Sequence, residues 1–178
     1  MCINIFQSII SGVVSGIIAS MCFTLLLFIV KPKIKILDHI CMSKGQNNSL
    51  IYKIKIVNKS LVMVTNINYS LRYIEMNGDK ISKVSEIQPR NSPILVLDGF
   101  NRSHKKEKTH YAIRISYNID PAIYPINNDK CRFEFIFLGQ HSITNATVYI
   151  KKQYYYYDIW KGIFEEDDSV NIKYTSNI

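Results

Sequence analysis

The first 30 residues carry no Asp, Glu, Lys or Arg, so all 22 basic and 14 acidic side chains fall from Lys31 onward. Within that stretch, residues 9–30 contain nothing more polar than Ser and Thr. As a helix they extend roughly 33 Å, enough to cross a hydrocarbon layer of about 30 Å. A helix buried in a soluble core would keep a polar face, and this one has none. A cleaved signal peptide fits less well. No Lys or Arg precedes the apolar run, and Leu25, Leu26, Leu27, Phe28, Ile29 and Val30 lead straight into Lys31 without a small-residue cleavage site.

The flanks orient the segment. Lys31, Lys33 and Lys35 follow it at once, with Lys44, Lys53, Lys55 and Lys59 beyond, while the N-terminal side offers only the α-amino group. The positive-inside rule then sets the N-terminus outside and the rest in the cytoplasm, as expected of a single-pass membrane protein. Pro32 stops the helix. The expected division is a short flank over 1–8, a transmembrane helix over 9–30 and a cytoplasmic β domain over 31–178. The net charge of +8 belongs wholly to that last part. A basic domain beside a bilayer is drawn to anionic headgroups or other polyanions, although the charge also serves orientation and solubility.

Small residues line one face of the apolar segment. Ser8, Gly12, Gly16 and Ser20 recur every fourth position, a GxxxG extended at both ends. Two such helices can approach closely and self-associate in the membrane, giving a homo-oligomer. The competing reading is that small residues are simply common in membrane helices.

After residue 30 the hydrophobic period is two. Tyr52, Ile54 and Ile56 alternate with Lys53 and Lys55. Ile67, Tyr69, Leu71 and Tyr73 alternate with polar residues, and Asn77-Gly78-Asp79 marks a hairpin turn. Further runs centre on residues 80–87, 94–97, 111–117, 131–137, 146–151 and 170–174, with Ile34 and Ile36 opening the series. About eight strands at short spacing predict a mainly β chain: an N-terminal transmembrane helix followed by a compact antiparallel β-sandwich or small β-barrel. Residues 156–164 have room for a helical turn or two.

Chemistry-bearing clusters are sparse. The segment 101–110 holds Arg102, His104, Lys105, Lys106 and Lys108. It is either a grip for a nucleotide or other anionic ligand or a solvated loop between strands, and charge runs of this kind are more often the latter. Tyr154, Tyr155, Tyr156 and Tyr157 could stack on bases or sit at a membrane interface, but in a strand two of them would face a core. No RNA-recognition motif accompanies them, which disfavours a nucleic-acid partner. Glu165, Glu166, Asp167 and Asp168 lack the spacing of a calcium loop. His141 and Ser142 do not make a triad. With seven Gly, two of them in the apolar segment, no nucleotide-cradling loop can be drawn. Cys41 and Cys131 show neither C-x-x-C nor a neighbouring His pair, so the expectation is reduced core thiols and no metal or cofactor. The sequons at Asn47, Asn58, Asn68, Asn101 and Asn145 would be silent in a cytoplasmic domain. No nucleophile–base set is visible, and the expected class is non-enzymatic.

The text S-G-I-I-A-S (residues 15–20), K-P-K-I-K-I (31–36), Y-K-I-K-I-V-N-K-S (52–60), Q-H-S-I-T (140–144) and Y-Y-Y-Y-D-I-W-K-G-I-F (154–164) resembles a group of bacterial proteins with one N-terminal membrane helix and a β-rich domain. More distantly, the plan is similar to the membrane-anchored β-barrel effectors of cyclic-nucleotide-signalled antiphage defence. That resemblance implies a β domain that senses a nucleotide and membrane parts that assemble and damage the bilayer. This chain has one such helix where those effectors can have more, so the implication covers sensing better than pore formation. The alternative expectation is an accessory or structural membrane subunit whose β domain packs on another protein.

Overall fold

The structure is a computed structural model. It describes residues 2–30, 32–45, 50–100, 111–126, 129–164 and 172–173, with side chains omitted at 2–6, 27–30 and 172–173. The chain forms two compact units, Met1–Lys31 and Pro32–Ile178.

The first unit is one helix, α1 (Cys2–Val30), which begins several residues before the apolar run does. Its stretch Gln7–Leu26 is long and apolar enough to cross a membrane, and none of it is buried against protein. Two of its hydroxyls bond back to the helix: Ser15 Oγ donates to Gly12 O (3.0 Å) and Thr24 Oγ1 to Ser20 O (2.8 Å). Such back-bonding lets a hydroxyl enter an apolar phase without an unpaired donor.

The second unit is mainly β. Its strands among the described residues are β1 (Ile34–Ile36), β2 (Ile40–Lys44), β3 (Leu50–Asn58), β4 (Val64–Asn77), β5 (Lys80–Ile87), β6 (Val96–Leu97), β7 (Ala112–Asn118), β8 (Cys131–His141), β9 (Thr147–Tyr154), β10 (Ile159–Lys161), β11 (Ile163–Phe164) and β12 (Ile172–Lys173). In the first sheet β3 is central. It pairs with β7 along one side, while β1 and β2 share the other, and β10 adds to β2 in parallel. In the second sheet β4 is central. It pairs with β8 on one side, β5 and β6 share the other, and β9 lies outside β8. The chain crosses between sheets at β3–β4, β6–β7, β7–β8 and β9–β10. The resulting order, β2-β3-β7 facing β9-β8-β4-β5, is the Greek-key arrangement of immunoglobulin-type sandwiches. The chain leaving β5 bridges the sheets, with Pro89 opposite Tyr117 and Arg90 N–H donating to Ser116 O (2.7 Å), so one side is closed in a half-barrel manner.

Period-two patterning builds the core. Tyr52, Ile54 and Ile56 of β3 and Ile115 and Tyr117 of β7 meet Leu71 and Tyr73 of β4 and Phe133, Phe135 and Phe137 of β8, all buried. Tyr52 and Phe133 touch edge-on across the two sheets at 6.1 Å. Each such side chain contributes about 1.5–3 kcal/mol by leaving water. The turn at Gly78 (φ +62°) closes the β4–β5 hairpin at its first central position, where a glycine is favoured.

Three strands lie where no clear period marked them. The runs expected from the sequence skip β2, and β10 and β11 replace most of the helical turn expected over 156–164, of which Tyr156–Asp158 form a 3-10 turn. β10 and β11, of three and two residues, carry too few side chains to show alternation, and Ile40, Cys41, Met42, Ser43 and Lys44 of β2 do not alternate apolar with polar. The tyrosine run also differs from expectation. Tyr154 is buried, but Tyr156 and Tyr157 are exposed, because the chain leaves β9 at Tyr155, whose N–H donates to Asp158 Oδ2 (2.9 Å).

Candidate functional site

Ser8, Gly12, Gly16 and Ser20 are exposed on α1. Gly12, Gly16, Ser20 and Thr24 floor a groove walled by Val13, Ile17, Met21 and Leu25. A Cβ at Gly12 or Gly16 would meet nothing within 4 Å, so no described residue needs the glycines small. What the groove can do chemically is admit another backbone closely. Thr24 extends the stripe one turn beyond the sequence expectation.

Arg102, His104, Lys105, Lys106 and Lys108 lie outside the described residues, as do Glu165, Glu166, Asp167 and Asp168. The stems of the basic segment are described. Phe100 N–H donates to Ser60 O (2.8 Å), and Tyr111 O accepts from Asn58 N–H (2.8 Å). The Phe100 and Tyr111 rings meet edge-on at 5.4 Å. Both ends of the segment are therefore held at the C-terminal end of β3. Lys33 is held there too, since its carbonyl accepts from Lys59 N–H (2.8 Å).

The brace of that end is Asn58, fully buried. Its amide donates to Val62 O (2.9 Å) and Asp98 O (2.9 Å), while its Oδ1 accepts from Ser60 N–H (3.0 Å) and from the Ser60 hydroxyl. Read from sequence, Asn58 is only a sequon and a strand terminus. A second brace is His141, fully buried, with Nδ1 accepting from Thr144 N–H (3.2 Å) and 2.9 Å from Thr144 Oγ1. An accepting Nδ1 places the ring proton on Nε2, which points into protein without a partner.

The outer face of the first sheet is unusual because it too is covered. Leu37, Cys41, Val57, Tyr111 and Phe164 form a second small core there, and Lys55 is fully buried on the same face. Cys41 and Cys131 are free and buried, in keeping with the expected core thiols. Burial pushes the Cys41 thiol up to about 12, outweighing the opposing pull of Lys53, Lys55 and Arg114. A thiol in that state is not a nucleophile at neutral pH. Burial likewise raises the Tyr117 and Tyr154 hydroxyls; the Tyr154 hydroxyl donates to Leu37 O (2.7 Å).

The outer face of the second sheet is open. Asn68, Ser70, Arg72, Glu86, Ile136 and Leu138 line a shallow cleft of about 260 Å³, smaller than most small-molecule sites. Beside it Lys151 Nζ pairs with the buried Glu134 Oε2 at 2.6 Å. Elsewhere His39 stacks on Trp160 with ring centres 3.8 Å apart. Among the described residues no three His, Cys, Asp or Glu side chains gather as a metal site requires.

Comparison with known proteins finds no matching family model and no matching curated protein.

Proposed function

We propose that this chain is a membrane-anchored, non-enzymatic sensor or effector of the bacterial inner membrane, with its N-terminus outside and its β unit in the cytoplasm. The observation that carries the reading is that Gln7–Leu26 is apolar, charge-free and exposed all round. A helix with no polar face and no protein cover takes lipid as its solvent. The Ser8, Gly12, Gly16 and Ser20 face supplies self-association. The segment with Arg102, His104, Lys105, Lys106 and Lys108, tethered between Phe100 and Tyr111, supplies cations for a nucleotide or other anionic ligand. The similarity of plan to cyclic-nucleotide-signalled effectors makes antiphage defence the setting of choice, by analogy of architecture.

The test is oligomer size and membrane depolarisation of the expressed chain, with and without candidate cyclic nucleotides. Binding accompanied by larger assemblies supports the reading; no binding and a strictly monomeric helix remove it. Gly12→Leu with Gly16→Leu fills the groove floor and is expected to shift the self-association equilibrium at least tenfold towards monomer, read by cross-linking in vesicles.

A second reading, an accessory subunit packed on another protein, is favoured by the outer face of the second sheet. Val84, Leu138 and Tyr149 are all exposed there, with Leu138 directly opposite Tyr149. Co-purification of a stoichiometric partner lost on Leu138→Glu would support it over the first.

A further inference from the structure

One end of the sandwich gathers three chain segments and the point where β1 begins. Val64 lies opposite both Leu97 and His141. Ser142 N–H donates to Met63 O (3.2 Å), Phe100 N–H to Ser60 O, and Lys59 N–H to Lys33 O. The loop 59–63, the turn 142–146 and residues 98–100 are therefore neighbours, with Lys33 among them.

The outward side chains here are aliphatic. Leu61 is 56% exposed and Ile143 68%, with Val96 (45%) of β6 and Leu95 (69%) just before it. Lys33 and Lys59 are exposed beside them, and Asp98 is half-buried. These are stiff presentations. Asn58 ties down the backbone of residues 60, 62 and 98 from inside, and His141 ties down Thr144. Gly99 packs on the loop so closely that a Cβ would lie 2.2 Å from Leu61 O. Aliphatic tips held rigidly in water lose hydrophobic stabilisation and have little entropy left to lose on docking.

Covalent reach selects the occupant. Ile34, first residue of β1, follows Val30, last residue of α1, by four positions, at most about 14 Å of extended chain. If α1 is in a bilayer, the end bearing Lys33 stays within that distance of the end of the helix. We infer that this end of the β unit is a lipid-docking surface. Leu61, Leu95, Val96 and Ile143 enter the headgroup–acyl boundary, and Lys33 and Lys59 pair with anionic phosphates. The inference rests on the membrane-anchor part of the reading above and on no part of the ligand-sensing one.

The test uses the full chain in phosphatidylcholine vesicles with and without phosphatidylserine. Nitroxides are placed by Leu61→Cys and Ile143→Cys in a Cys2→Ser, Cys22→Ser background; Cys41 and Cys131 are buried and stay unlabelled. Asp79→Cys, on the hairpin about 40 Å away along β4, serves as the aqueous control. Ile17→Cys in α1 is the lipid control. Collisions with oxygen over those with a water-soluble nickel chelate are expected to be several-fold higher at 61 and 143 than at 79. Lys33→Glu with Lys59→Glu should reduce that excess only when phosphatidylserine is present. Values at 61 and 143 equal to those at 79, with 17 still lipid-like, overturn the docking surface and leave the anchor standing; a protein partner would then be the occupant. An aqueous value at 17 removes the anchor and this inference with it. Lipid-like values at 61 and 143 that ignore the lysine changes support the aliphatic insertion and overturn the phosphate pairing.

Discussion

Asn58 shows how one side chain can organise a whole end of a fold. It is fully buried, and its amide and carbonyl together hold residues 60, 62 and 98. Asn58→Ala leaves those groups without partners in a water-excluded place, and the expected loss is about 2–4 kcal/mol, measured by denaturant unfolding of the detergent-solubilised chain. Cys41 makes a different test. Its folded value, about 12, lies above the ordinary thiol range, so the unfolded chain ionises first as pH rises. The contribution of this group is complete below about pH 9 and is lost progressively towards pH 12. Native protein should leave Cys41 unmodified by a thiol reagent at pH 8, with modification appearing only in denaturant; rapid native labelling would contradict the burial. A core thiol at Cys41 was expected from the sequence, but the role of Asn58 was not. Asn58 is one of many Asn, and what makes it structural is that three chain segments meet at its amide.

Among the elements, the long strands were legible; of the short ones, β1, β6 and β12 fall on runs read from the sequence, whereas β2, β10 and β11 do not. β3, β4, β5, β7, β8 and β9 have seven or more residues each, enough for alternation to stand out. β10 and β11 have three and two, and they exist because β2 offers a free edge and because Phe164 finds a pocket among Leu37, Cys41, Val57 and Tyr111. Phe164→Ala removes the aromatic from that outer core. It is expected to cost about 3–5 kcal/mol and to make Cys41 reactive towards thiol reagents in otherwise native protein. Unchanged thiol protection would mean that β11 does not cover the face. The tyrosine run teaches the same lesson: an alternation argument holds only while the strand lasts, and β9 ends at Tyr154.

At the scale of the molecule, an apolar helix and a charged β unit are joined in one chain. α1 is charge-free through residue 30 and exposed over Gln7–Leu26, whereas every ionic side chain belongs to the residues after it. The orientation proposed from the lysines makes a direct prediction. A reporter fused at the C-terminus should be active if it is one that folds in the cytoplasm and silent if it needs export, and the reverse result would invert the topology.

Segregation of charge and the two-residue period were enough to predict an apolar spanning-length helix and a mainly β unit, because both are one-dimensional properties: solvent preference along the chain and alternation between two faces. Sheet order, the closed side at Pro89, the covered outer face and the braced aliphatic end were decided only in three dimensions. Each depends on segments far apart in sequence arriving at one place, as Asn58, Asp98 and Tyr111 do, and no local pattern records which segments will meet.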